Sequence, residues 1–491
     1  MSKRCAFPIC VLLLSLALAA CGPVATPGVV APTVTPGEQV TATPLPVRTV
    51  FPPGQVFEYL AQPGDTLPAV AAHFNTTVEQ IRAENPELPD PVTTMPAGFL
   101  IRVPSYYSPL TSSPFHILPD SQAVNGPDAV DFDTRVEVES RPGYLNNITD
   151  YAQRQQRPGW DVVDVVARNY SIHPRVLLTL LEYRTHALTD PFPDPIDRAY
   201  PLGHVDPRSR GLYRQLIWAA ELFNDAFYGW RGEAPLELEL ADGKVARPDP
   251  WQNAGTVGVQ GVMAGLFGQE DFDRAIGPDG FAATWRSLWG DPYQAEQVTI
   301  PPSLQQPALA LPFPPNRVWD YTGGPHPSWG NGRPFGALDF APPAVVGGCA
   351  ATNEWFTAPA EGVIVRSGDA AVVLDLDGDG DERTGWVILF YHVATEGRIA
   401  AGAVVTRGDN LGHPSCEGGL ATGTHFHMAR RYNGEWIAAA GVIPFDLAGW
   451  VAAGGEAAYQ GTLTRGSMTI TACTCTTASN RILYELPSVD E

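Results

Sequence analysis

The chain has 491 residues, with 31 Lys+Arg against 53 Asp+Glu and a formal net charge of −22. So acidic a chain repels phosphate backbones, which excludes nucleic acid as the expected partner. With 44% hydrophobic and 17% charged residues it has ample apolar material, and its length suggests about three modules, so wholesale disorder and a single core are both excluded.

Met1 to Cys21 opens with Lys3 and Arg4, runs through an apolar stretch from Val11 to Ala20 and ends in small residues before a cysteine. That is the pattern of a bacterial export signal. The apolar stretch is shorter than the ~20 residues a membrane span requires. Leu18-Ala19-Ala20-Cys21 resembles the lipoprotein lipobox, which implies cleavage before Cys21 and its lipidation. The expected location is therefore outside the cytoplasm, lipid-anchored to the bacterial cell membrane. Residues 22–54 are rich in Pro, Thr and Val with almost no charge and read as an extended linker. Cys5 and Cys10 leave with the signal, so Cys349, Cys416, Cys473 and Cys475 remain to form two bridges. Sequence leaves all three pairings open. A thiolate zinc cluster would need paired Cys-x-x-Cys spacing, which is absent.

Residues 55–106 begin with a strand over Phe57–Ala61 and a Pro63-Gly64-Asp65 turn. Thr66 is placed to cap a helix bearing Leu67, Val70 and Phe74 at helical spacing. Thr77 opens a second helix carrying Ile81, Asn85-Pro86 ends it, and Phe99–Val103 offers a closing strand. This β-α-α-β order, with Gln62–Leu67, Phe74, Ile81, Asn85 and Gly98–Pro104, resembles a LysM domain. The resemblance implies binding to N-acetylglucosamine-containing glycans such as peptidoglycan; the alternative is a LysM fold serving as a spacer.

Residues 120–300 read as a mostly α-helical middle domain, with helical runs at Trp160–Asn169, Pro174–Arg184, Arg210–Tyr228 and Gly255–Gly268. Ser171 to Pro191 resembles, weakly, the glutamate-bearing helix of lysozyme-like transglycosylases. That family would place its Glu-Ser pair two positions beyond Glu182, where Arg184 and Thr185 stand. Two residues turn a side chain by about 200° around a helix. A domain that positions its neighbours is the stronger expectation.

Proline-rich sequence from Pro301 to Pro315 marks a boundary, and residues 301–465 read as an all-β antiparallel domain, with 466–491 as a tail containing Cys473-x-Cys475. Strands are expected at Gly362–Arg366, Ala371–Leu376, Val387–His392 and Thr424–Arg430. On the last of these, His425 and His427 share a face while Phe426 and Met428 point to the other. Upstream stand His326, Asp339 thirteen residues later, and Tyr391-His392.

Together with Cys416–His427, these residues resemble the beta-lytic branch of the lysostaphin-type zinc metallopeptidases over roughly 319–436. The resemblance implies a compact antiparallel β domain that cleaves peptide bonds in peptidoglycan cross-links or stems. It also implies zinc held by His326, Asp339 and His427, with His392 and His425 as the catalytic pair. Commoner members place the first histidine four residues before the aspartate, and here that position is Phe335. If His326 lies too far away, the alternative is a non-catalytic wall-bound scaffold or an activator of another hydrolase. Finally, Asp375, Asp377, Asp379 and Asp381 resemble the start of a calcium-binding EF-hand loop, but its twelfth position is Trp386 in place of the closing Glu. A calcium-stiffened hairpin and a plain acidic turn both fit.

Overall fold

Alternation of side chains along the strands governs the architecture. A computed structural model describes residues 51–89, 92–107, 116–343, 347–475 and 477–484. The export signal, Cys21 and most of the linker lie outside the described residues. No helix among the described residues is long and apolar enough to cross a membrane.

The N-terminal module pairs β1 (Gln55–Leu60) antiparallel to β2 (Leu100–Ser105) and packs α1 (Leu67–His73) and α2 (Val78–Glu84) against them. Thr66 accepts the Ala69 N–H at the first helix start, and Thr77 forms a capping box with Gln80 at the second. The middle unit is built on α3 (Gly159–Tyr170), α4 (Pro174–Thr185), α5 (Leu212–Trp230), α6 (Ala254–Leu266) and α7 (Phe281–Trp289). Glu182 on α4 spends its carboxylate on the Leu188 N–H and the Thr189 hydroxyl. It ties down the helix end.

The C-terminal unit contains β3 (Val318–His326), β4 (Ala337–Ala341), β5 (Gly362–Gly368), β6 (Ala371–Asp375), β7 (Trp386–Tyr391), β8 (Val404–Val405) and β9 (Phe426–Tyr432). It continues with β10 (Asp446–Leu447), β11 (Trp450–Gly454), β12 (Gly461–Arg465), β13 (Met468–Thr471) and β14 (Arg481–Leu483). The main sheet runs β8-β5-β6-β7-β9-β4-β3-β14, and β10 to β13 form a second sheet in chain order. Within the expected tail, β13 closes the second sheet and β14 pairs with β3. Ile470 and Ile482 supply the apolar contacts that hold them there.

The main sheet is buried on both faces. Leu338, Val372, Leu374, Ile388, Phe390, Phe426 and Met428 point into the core of the β unit. Their neighbours Ala337, Ala371, Val373, Val387, Leu389 and Ala429 face the helices and share the core of the middle unit. Small side chains at three of those positions let the helices approach closely.

Polar contacts lock the units together. Arg231, just past α5, donates to Pro63 O (2.6 Å), Asp120 (2.9 Å) and Glu435 (2.9 and 3.2 Å), with Asp65 4.0 Å away. These partners come from all three units. His73 stacks on Trp230 at 3.7 Å, and Trp251 meets Phe57 and Phe74 edge-on. Glu382 accepts from Arg366 (2.9 Å) and Arg431 (2.6 Å), and those arginines reach Asn169 Oδ1 and Arg168 O on α3.

Replacing Arg231 by Ala strands several nearly buried carboxylates without their cation, a loss of about 3–5 kcal/mol for a broken buried pair. Chemical denaturation of the full chain measures it. Burial pushes the Glu382 carboxyl up, but Arg366 and Arg431 outweigh it and hold the group at about 2, below its ordinary 4.5. Its stabilisation is thus present above pH 4.5 and is lost as pH falls toward 2. Glu382→Gln is expected to flatten that acid limb of the stability curve.

Candidate metal centre

Register brings the candidate ligands together. On β9, His427 lies opposite Asp339 of β4 and, on its other side, opposite Tyr391 of β7. Asp339 in turn faces Gly323 of β3, where a Cβ would stand 2.5 Å from its Oδ2, so only glycine fits. Between Gly323 and His326 the β3–β4 register shifts, and His326 comes to lie opposite Ala337. The irregularity turns His326 onto the face that carries Asp339 and His427. The long spacing between histidine and aspartate is spanned by a loop, and Phe335 stays at the surface.

His326 Nε2 stands 3.1 Å from Asp339 Oδ1 and 3.0 Å from His427 Nδ1, and His427 Nδ1 stands 3.5 Å from the same Oδ1. All three residues are buried. His326 Nδ1–H donates to Gly324 O (2.8 Å) and His427 Nε2–H to Ser328 O (3.0 Å), which leaves a lone pair on each inward nitrogen of the neutral rings. Asp339 Oδ1 is buried without a hydrogen-bond donor. Three electron-rich atoms facing each other in a buried pocket call for a cation. Ligands about 2.0–2.1 Å from a tetrahedral zinc stand about 3.3 Å apart, close to the spacing seen here. The carbonyls behind the rings supply the outer support that metal-binding imidazoles need. Burial opposes the charge on Asp339, and only a protonated His326 holds its carboxyl far below the usual carboxylate range, so with both rings neutral the pocket lacks the positive charge that Asp339 calls for.

His392 sits just beyond β7 in the left-handed region (φ 62°), an uncommon conformation for a side-chain-bearing residue and one that clusters at functional sites. Its Nδ1–H donates to Glu417 O (2.9 Å), and its ring lies 4.6 Å from that of His425. The His425 Nδ1–H donates to Gly423 O (2.7 Å), and its Nε2 is 3.8 Å from Asp339 Oδ2. Burial, then the neighbouring His425, lowers His392 to about 4, so its Nε2 carries a lone pair at neutral pH. Sequence reasoning missed Tyr459, whose ring stacks on His326 at 4.3 Å while half exposed. It lies 133 residues downstream in the turn before β12, with no motif to mark it.

Cys349 bonds Cys416, and Cys473 bonds Cys475. The first bridge, with Thr424 bound to Gly348 O and Ala350 O, braces the loop that leads into His425. Among the acidic residues, Asp375, Asp377 and Asp379 come together, but Asp381 turns onto Arg383. Asp375 accepts the N–H groups of Asp377, Gly378 and Gly380. Those bonds are what an acidic turn requires without any ion. Of the four expected calcium carboxylates, three are thus brought together and the fourth is not.

Serine at both Cys349 and Cys416 opens a bridge with a sequence separation of 67 and is expected to cost about 2–4 kcal/mol in non-reducing denaturation. The same change at Cys473 and Cys475, separated by 2, is expected to cost far less.

Comparison with known proteins follows this division of the chain. Residues 59–104 match the LysM domain family and residues 116–303 match the family described as LasA, N-terminal domain. Protease LasA from Pseudomonas aeruginosa, in strains UCBPP-PA14 and PAO1, is 24% identical over 293 residues, 55% of this chain and 66% of the relative. The chain thus spans just under two thirds of these relatives. Among solved structures, the M23 metalloprotease pseudoalterin from the deep sea is 23% identical, covering 34% of this chain and 96% of its own, with a TM-score of 0.29. The catalytic domain of the antimicrobial peptidase lysostaphin from Staphylococcus simulans is 21% identical, covering 25% and 90%, with a TM-score of 0.18. The chain is similar to protease LasA, and its match to the LysM domain family precedes its match to the LasA N-terminal domain family along the sequence.

Proposed function

We propose that this protein is a peptidoglycan hydrolase of the cell envelope, a zinc-dependent endopeptidase that cleaves peptide bonds in stems or cross-links. The observation that carries this reading is the meeting of His326, Asp339 and His427 around an undonated carboxylate oxygen. Homology to a named protease adds to it. His326, Asp339 and His427 hold the metal. Bound zinc supplies a Lewis acid for a carbonyl and acidifies water to a pKa near 7.

His392 and His425 stand side by side with their Nε2 atoms free of backbone carbonyls. One of them takes the proton of the attacking water onto its Nε2 lone pair, and the Nε2–H of the imidazolium so formed donates to the oxyanion as the scissile carbonyl becomes tetrahedral. Gly324 O and Ser328 O keep the ligand rings in one tautomer. The half-exposed Tyr459 ring stacks on His326 and offers substrate an aromatic surface. The LysM domain holds glycan chains, and Cys21 carries the lipid that keeps the enzyme at the outer side of the membrane. Two weak wall contacts on one chain raise the local concentration of cross-links at the site. The scaffold alternative required His326 to lie far from its partners, and its position 3.1 Å from Asp339 weighs against it.

The test is metal analysis and peptidoglycan digestion by the purified mature protein. The expected result is bound zinc and released peptides, both lost in His427→Ala. His392→Ala and His425→Ala are expected to keep zinc while losing about 10²–10⁴-fold in rate. Zinc-loaded protein that releases no peptides from any peptidoglycan overturns the reading.

A further inference from the structure

The loop between the first two candidate ligands does not rest on the β unit alone. Its Ser328 O accepts the His427 Nε2–H, and Trp329 packs on Tyr391 at 4.6 Å, the residue opposite His427 on β7. Beyond Trp329 the loop crosses to α5 of the middle unit. Glu221 Oε1 accepts from both the backbone N–H (3.2 Å) and the Nδ2 (2.9 Å) of Asn331, and the Tyr170 hydroxyl donates to the same oxygen at 3.4 Å. One helical turn later, Asp225 Oδ1 accepts the Arg333 N–H at 2.6 Å. Residues four apart lie on one face of a helix, so the two carboxylates form a single docking strip.

The approach is close. Gly332 holds φ at +83°, and a Cβ there would lie 2.2 Å from Asp225 Oδ1. The loop then folds back on itself, with the Ser328 N–H and hydroxyl both on Pro334 O. The carbonyl that orients His427 is thus fixed at one end by Pro334 and at the other by two carboxylates from a different unit.

We propose that Glu221 and Asp225 are positioning residues for the metal centre, acting through the 328–334 loop to hold the Ser328 carbonyl against His427. The inference rests on the metal-centre reading above. Under it, the helical unit is part of the outer support of the ligands. Partners that orient a metal-bound histidine typically change metal affinity by about 10–100-fold when lost, and a support one step further out belongs at the low end of that range.

The experiment measures zinc affinity of the full mature chain by competition with a chromogenic chelator, alongside melting of the metal-free protein. The Glu221→Ala/Asp225→Ala double variant is expected to bind zinc about tenfold more weakly. Glu221→Gln/Asp225→Asn keeps amide oxygens that accept the same N–H groups and is expected to restore affinity. Asn331→Asp sets a carboxylate against Glu221 without touching the helix and serves where the alanine variant fails to fold; it is expected to weaken zinc to a similar degree. Lower melting of the metal-free alanine variant with wild-type zinc affinity would mark a purely structural role and overturn the proposal, as would wild-type affinity in Asn331→Asp. Wild-type protein that binds no zinc removes the metal centre itself, a distinct outcome that takes this inference with it.

Discussion

A buried carboxylate oxygen that faces two imidazole lone pairs is the constraint around which the C-terminal unit is organised. Asp339 is placed there by the sheet: its neighbours Leu338 and Phe340 on β4 point into the β core, and it shares the helix-facing side with Ala337. His427 alternates with Ala429 in the same way one strand over. Sheet register, not loop chance, therefore sets one of the ligand-to-ligand distances. The irregularity in β3 sets the others by delivering His326 to the same face. Without a cation, bringing these groups together is costly, because buried polar atoms that lack partners are destabilising. The fold carries that cost at one place and covers much of the same face with apolar contact.

The helical unit lies on the face that bears the ligands. Ala337, Ala371 and Ala429 leave room for it, and its own core includes residues of the sheet. Its N-terminal partner, the LysM domain, is docked as well as tethered: Arg231 reaches a carbonyl of that domain, Asp120 of the middle unit and Glu435 of the β unit. One planar guanidinium with five donors suits several oxygens at fixed angles, which a lysine ammonium cannot match. Glu382 plays the reciprocal part, one carboxylate between two arginines whose other ends reach α3. The three units thus hold one another through charges removed from water. A proposed wall-binding domain and a proposed hydrolytic centre stand in a set relation as a result.

Local signals were legible wherever the chemistry was local. Thr66 and Thr77 cap the helices they were expected to cap, because a side-chain oxygen near a helix start satisfies N–H groups a few residues away. The period-two pattern around Phe426 and Met428 already separated core from site. What Glu182 does was less legible, because its partners Leu188 and Thr189 fold back to it from beyond the helix end. The strands after Arg465 were not legible in the sequence. Polar alternation reads as a tail until a partner strand is present, and the partner of Arg481–Leu483 begins at Val318.

From its residues alone the chain determined the order of its modules, the helices with their caps, the strands by alternation and the candidate ligands by type. Those depend on contacts within a few positions, which sequence spells directly. Tertiary structure decided that His326 reaches Asp339, that Cys349 pairs with Cys416, that Tyr459 joins the site and that the middle helices hold the loop behind His427. Each is a meeting of residues far apart in the chain. Such meetings follow from register and packing between elements, which no local pattern encodes.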